Sequence, residues 1–202
     1  MTMNERTFSA ADAHKLEDPD RLVWLPPQEI VASLDVYLGM TVADVGAGTG
    51  YFALPIARVV GEKGRVFAVD FQTDMLDMLG KKLLDPNAPA NVTLVHGTAT
   101  HTTLPASCVD IVFLANVWHE VDDHALVLKE GARTLRKNGR LAVLDWRSDV
   151  QHPPGPPLEH RIPEKTVAET LGTNGWKVER SGNVGRYSYL IVARHEQSTN
   201  RS

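Results

Sequence analysis

Residues 42–50, VADVGAGTG, constrain the fold more than any other stretch of this chain. A short apolar run, Val42 to Val45, breaks into glycines at alternate positions, Gly46, Gly48 and Gly50, and an amphipathic stretch from Tyr51 to Val60 follows. That order reads as strand, tight loop, helix. Glycines in such a loop tolerate positive φ and carry no Cβ, so a ligand can lie against bare backbone while the helix presents free N–H groups. About twenty residues on, at the distance where nucleotide-binding loops of this kind are followed by an acid, a second apolar run from Arg65 to Val69 stops at Asp70. A carboxylate at the end of the second strand can accept both hydroxyls of a ribose. Loop and acid together imply a nucleoside-bearing ligand.

The glycine spacing narrows the choice. A dinucleotide fingerprint needs its third glycine three positions after the second, and that position is Tyr51. Asp44, two residues before the first glycine, would repel a pyrophosphate but helps hold an ammonium group. An adenosine joined to a zwitterionic amino acid therefore fits better than a dinucleotide. Asp44, Gly46, Gly48 and Gly50 followed by Asp70 resemble the motif of class I S-adenosylmethionine-dependent methyltransferases. That resemblance implies S-adenosyl-L-methionine as cofactor and S-adenosyl-L-homocysteine as product.

At 202 residues and 43% hydrophobic, the chain suits one globular domain with a real core. The net charge is −4 and the basic residues are scattered, so a nucleic-acid substrate is not expected. The single cysteine, Cys108, excludes a disulfide framework within one chain and a Cys-rich zinc site. With no long apolar stretch and a polar N-terminus, the expectation is a cytoplasmic protein without stable membrane insertion. A homodimer is compatible with this reading.

Residues 1–27 read as a surface segment able to act as a lid, 28–195 as the methyltransferase domain and 196–202 as a tail. Pro26 and Pro27 open a helix from Gln28 to Leu38, with Ile30, Val31, Leu34 and Leu38 on one face. Trp24, just before it, is read as a staple against that helix or a wall of the active site. A helix over 73–84, capped by Thr73, strands at 92–95 and 109–114, a helix over 124–136 capped by Asp122 and Asp123, and a strand at 140–144 follow. This alternation predicts an α/β fold with a doubly wound, mostly parallel sheet. After the proline-rich excursion 149–161, a helix runs from Pro163 to Thr173. Runs at 176–180 and 187–193, joined by a turn at Ser181, Gly182 and Asn183, form an antiparallel C-terminal hairpin. The resemblance implies that the sheet has seven strands.

In open α/β sheets ligands sit beyond the carboxyl ends of the strands near the switch point. The expected cofactor-binding residues are Asp44, Gly46, Ala47, Gly48, Gly50, Asp70, Phe71, Met75, Thr98, Ala99 and Asn116. Thr98 departs from the family pattern, which often has an acid there to accept the adenine amino group. Residues 114–120, LANVWHE, lack the two prolines of nucleobase N-methyltransferases and resemble the quinone-biosynthesis and related small-molecule methyltransferases. In that group a histidine lies near the reacting centre; here it is His119, a candidate proton acceptor for a carbon or hydroxyl acid. Its alternative is a histidine bonded within a turn. Trp24, Trp118, Arg147 and Arg161 are candidate pocket residues, the arginines, with His152 and His160, as partners for an anionic group. His119, Glu120, Asp122, Asp123 and His124 are contiguous and irregularly spaced, a poor metal cage, so no metal is expected. The resemblance implies an enzyme that methylates the C or O of a quinone-like or other small acceptor; the rival reading is a non-catalytic S-adenosylmethionine- or nucleotide-binding protein.

Overall fold

The strands alternate two faces, and that alternation builds the whole molecule. In a computed structural model describing residues 8–150 and 154–196, seven strands form one sheet: β1 (Thr41–Val45), β2 (Arg65–Asp70), β3 (Val92–His96), β4 (Val109–Ala115), β5 (Leu135–Trp146), β6 (Trp176–Val184) and β7 (Ser188–His195). Their order is β3-β2-β1-β4-β5-β7-β6. The strands from β3 to β5 are parallel, and β7 runs antiparallel to both β5 and β6. Val42, Val66, Ala68, Ile111, Phe113, Ala142 and Leu144 face one core layer, packed with α2 (Pro27–Ser33), which follows the single-turn α1 (Arg21–Trp24), and with α3 (Ala53–Val60). Ala43, Val45, Val69, Val112, Leu114, Leu141 and Val143 face the other, covered by α5 (His124–Thr134) and α6 (Glu164–Thr173). This period-two partition, buried on both faces, is what the helical crossovers of a parallel sheet require. Strand order reverses between β1 and β4, so their carboxyl ends open the crevice where ligands bind in such sheets. Among the described residues no helix is long and apolar enough to cross a membrane.

Several boundaries differ from those the sequence predicts. α2 stops at Ser33 because the chain turns at Asp35, which has φ 52 and is held by Arg140 at 3.1 Å and Arg180 at 2.6 Å. Leu38 is consequently 69% exposed instead of lying on the helix's inner face. Helix α4 (Thr73–Lys82) has Gln72 in the capping position with no side-chain cap, so Thr73 begins the helix and does not cap it. The expected tail of α5 belongs to β5: Leu135 pairs with Val109, and the ladder shifts register before Arg140. The C-terminal turn lies at Gly185 and not at Gly182. Gly185 has φ 59, and its missing Cβ would come 2.8 Å from the Trp24 carbonyl, whereas Ser181, Gly182 and Asn183 are extended and paired with Ile191, Leu190 and Tyr189.

Candidate active site

The glycine loop after β1 divides its labour. Gly46 (φ 77) would drive a Cβ to 2.2 Å from Val117 Cγ2, and Gly50 (φ 89) to 2.4 Å from Leu79 Cδ1, so both permit close packing. Gly48 (φ 53) is different: a Cβ there would meet only Leu16 Cδ1, at 3.4 Å. Its bare backbone forms a cradle roofed by Leu16. The loop is pinned from behind, since Gly46 and Ala47 N–H donate to the Val69 carbonyl at 2.8 and 3.0 Å. Asp70 Oδ2 accepts the Gly48 N–H at 2.8 Å and Oδ1 accepts the Gln72 N–H at 2.9 Å. Asp70 thus shapes the cradle as well as bordering it. Burial raises its pKa despite those amides.

Two acceptors in this region lack partners among the described residues. Asp44, within β1 and 1% exposed, has Oδ2 buried and unpaired, and burial together with the neighbouring Asp70 charge pushes its pKa up to about 7. Asn116, at the end of β4, has φ 57 and an unpaired buried Oδ1. An unpaired buried acceptor costs about 1–3 kcal/mol, and a non-glycine residue held at positive φ adds strain. Both are features retained where a ligand completes the site.

Around the cradle stand the remaining residues of the set. Met75 is buried in α4, Phe71 is partly exposed beyond β2, and Thr98 and Ala99 lie in the turn after β3. Thr98 Oγ1 accepts the His101 N–H at 3.1 Å, so its hydroxyl is already used in shaping that turn.

His119 sits in a 3₁₀ turn, Trp118–Glu120, and is buried. Its backbone N–H donates to Asp145 Oδ2 at 3.0 Å, and Nδ1 lies 2.7 Å from Asp145 Oδ1, which also accepts the Trp146 N–H at 2.7 Å. Nε2 lies 4.0 Å from Glu120 Oε1. Burial alone would lower the His119 pKa, but the Asp145 hydrogen bond and charge outweigh it and the net direction is up. Glu120 is raised to about 7, chiefly by burial. Sequence reasoning misses Asp145. The signal is nevertheless present: like Asp44 and Asp70, it is an acid at the carboxyl end of an apolar strand.

The N-terminal segment crosses this cleft. Phe8 N–H donates to Glu120 Oε1 at 3.0 Å; Gln72 accepts the Ala10 N–H at 2.9 Å and donates to the Phe8 carbonyl at 2.8 Å. The 3₁₀ segment Ala10–Glu17 then lays Leu16 on Gly48, and Glu17 accepts from Thr49 Oγ1 at 2.5 Å and pairs with Lys82 at 2.7 Å.

The four candidate pocket residues each make contacts within the protein. Trp118 is fully buried in the second core layer and stacks on His124 with ring centroids 4.3 Å apart. Trp24 packs on Trp146 and Tyr187, at 5.4 and 6.4 Å between centroids, as part of the first core layer's margin. Arg147 forks onto Asp149 at 2.8 and 2.9 Å. Arg161 is buried and donates to the carbonyls of Pro154, Pro156 and Arg147 while lying over the Trp146 ring, so it fastens the proline excursion and is not free to take an anion. His152 and residues 1–7 and 197–202 lie outside the described residues. Among the described residues no group of histidines, cysteines and acids is arranged to hold a metal.

Comparison with known proteins gives concordant matches. The family described as "Methyltransferase domain" matches residues 43–143. A ubiquinone/menaquinone biosynthesis C-methyltransferase of Vibrio vulnificus is 34% identical over 115 residues, 57% of this chain and 44% of that protein. A demethylmenaquinone methyltransferase of a Geobacillus species is 30% identical over 118 residues, 58% of this chain and 50% of that protein. The matched stretch thus spans half or less of these curated relatives. A crystal structure of an S-adenosylmethionine-dependent methyltransferase from Aquifex aeolicus is 32% identical, covers 93% of this chain and 98% of its own, and superposes with a TM-score of 0.87.

Proposed function

Because the chain belongs to the methyltransferase-domain family and is an S-adenosylmethionine-dependent methyltransferase, we propose that it methylates carbon or oxygen of a small, uncharged, quinol-like acceptor. With that family assignment the non-catalytic alternative falls away. The residues suit the cofactor: Asp44 Oδ2 and Asn116 Oδ1 are unpaired buried oxygens in the same region as the glycine cradle, and such oxygens are satisfied by a ligand that brings donors, such as an ammonium. In this reading Asp44 and Asn116 hold the amino-acid part, the backbone of Gly46, Ala47, Gly48 and Gly50 lies along it, and Asp70 takes the ribose. Phe71, Met75, Thr98 and Ala99 border the adenine. When bound, S-adenosylmethionine supplies a methyl already made electrophilic by its sulfonium, so the protein's tasks are orientation, exclusion of water and placement of a proton.

One observation carries the acceptor class: the charge of the cleft. Asp44 and Asp70 act electrostatically on each other, as does Glu120 with Asp70 and Asp145; Arg147 is paired with Asp149, and Arg161, the one of these two cations whose charge reaches Asp145, is held by backbone carbonyls. An anionic acceptor would add charge to an acidic, partly buried site, where the cost per pair far exceeds that in water. A neutral quinol avoids it, and the curated relatives named for quinone methylation agree in chemical class. The test is mass spectrometry of products formed from S-adenosylmethionine and a panel of reduced naphthoquinones, reduced benzoquinones and matched anionic phenols. Methylated neutral quinols support the reading; methylation confined to the anionic phenols, or none with cofactor affinity intact, overturns it.

A further inference from the structure

We propose that Asp145 is the positioning residue for His119: it fixes the proton on Nδ1 and leaves Nε2 as the base that receives the acceptor's hydroxyl proton. The inference rests on the reading of an O–H-bearing acceptor. Its geometry does not. Asp145 is 1% exposed and ends the apolar core of β5, a place where an unpaired carboxylate would be untenable. It accepts three N–H groups, from the His119 backbone, the His119 ring and Trp146. The backbone bond sets where residue 119 lies, and the ring bond sets how its imidazole is turned. One carboxylate thus fixes both the position and the tautomer of the histidine. A carboxylate has no proton to donate, so Nδ1 carries the hydrogen and Nε2 keeps its lone pair. Among the described residues Nε2 has no hydrogen-bond partner; Glu120 stands 4.0 Å away.

The groups acting on the imidazole come from three places. Asp145 on β5 and Glu120 in the same turn favour the imidazolium, and Arg161, at the end of the proline excursion, opposes it. The attractive pair prevails, which makes His119 a stronger base than a free imidazole while its burial keeps water out. In the transfer, the acceptor's nucleophilic atom bonds to the methyl carbon and the S–C electron pair returns to sulfur, leaving S-adenosylhomocysteine. The O–H proton passes to Nε2. Where a ring carbon is the nucleophile, that carbon then loses its own hydrogen as aromaticity returns and the carbonyl regains a proton. One proton is released overall in either case.

Long-range ¹H–¹⁵N NMR of the full chain with S-adenosylhomocysteine tests this directly. In the wild type the His119 ring is expected as the Nδ1–H tautomer, with a pKa above that of a free histidine. Asp145→Asn is expected to lower that pKa by at least tenfold in proton affinity and to mix the tautomers, and Asp145→Glu to restore them in part, with S-adenosylhomocysteine affinity within twofold throughout. With 1,4-dihydroxynaphthalene as acceptor, Asp145→Asn is expected to lower kcat more than tenfold with little change in KM, and to move the acid limb of the pH profile by the same amount as the NMR titration. An Nε2–H tautomer in the wild type overturns the proposal, whether or not the variants fold. So does an unchanged pKa in a folded Asp145→Asn. Failure of every quinol to react counts against the acceptor class, and the NMR result still decides the role of Asp145.

Discussion

Asp44 gives the sharpest handle on the cofactor site, because its carboxyl is held near half-ionised at neutral pH. Burial and the Asp70 charge push its pKa up to about 7, with the Ala53 amide opposing. A cationic amino group placed against it favours the ionised form, so only the ionised free protein binds without first losing a proton. With a pKa near 7, the ionised fraction rises about 25-fold between pH 5.5 and 7.5, which is ~1.9 kcal/mol of binding free energy. The expectation is that S-adenosylhomocysteine binds about 25-fold more tightly at pH 7.5 than at 5.5, followed by isothermal titration calorimetry in buffers of different ionisation enthalpy. At pH 5.5 binding should release close to one proton per site. Asp44→Asn should bind ~10–100-fold more weakly at pH 7.5, the loss of a charge-assisted hydrogen bond of about 1.5–3 kcal/mol, and should lose the pH slope. A wild-type affinity flat across that range, or the same slope in Asp44→Asn, would refute the assignment of Asp44 to the amino group.

Gly48→Val should abolish measurable S-adenosylhomocysteine binding while leaving the circular dichroism spectrum intact, because the branched side chain fills the cradle at φ 53; retained micromolar-range affinity would remove this loop from the site. The paired variant Gln72→Ala with Glu17→Ala, which cuts the bonds of Gln72 to Phe8 and Ala10 and of Glu17 to Thr49 and Lys82 that tie down the N-terminal segment, should speed S-adenosylhomocysteine release in stopped-flow experiments about tenfold or more; unchanged release would mean the segment does not gate the cleft. The free protein should be more stable at pH 6 than at pH 8. The native carboxyls of Asp44 and Glu120, both near 7 and above their unfolded values, and His119, also raised, bind protons more tightly than in the unfolded chain. Stability is therefore lost as pH rises through those native values, by ~1.4 kcal/mol for each carboxyl. Urea titrations that give equal or greater stability at pH 8 would contradict the burial of these groups.

The parallel sheet was legible because its signals are local. Apolar runs such as Val109–Leu114 and the glycine loop specify strand, turn and helix without help from distant residues. Where distant residues decide, sequence reading missed. Nothing near Leu38 announces that Arg140 and Arg180 will hold Asp35 and end α2 early. Nothing near Gly182 indicates that the hairpin turns three residues later, under the Trp24 carbonyl. The site shows the same division. Asp44, Asp70 and the glycines carry their signal in spacing, whereas the Asp145 contact with His119 spans 26 residues. Arg161 looked like an anion partner because its type is visible in the sequence, while the carbonyls that occupy it appear only once the proline excursion has folded back over it.

Transfer of an isotopically labelled methyl group from S-adenosylmethionine to 1,4-dihydroxynaphthalene, followed with the wild type and with His119→Ala, decides whether this chain is a quinol methyltransferase with a histidine base. Labelled, methylated quinol is expected from the wild type, and a turnover lowered ~10²–10⁴-fold in His119→Ala with S-adenosylhomocysteine affinity nearly unchanged. Label that stays on the cofactor with the wild type across neutral quinols, while S-adenosylhomocysteine binds normally, would contradict it.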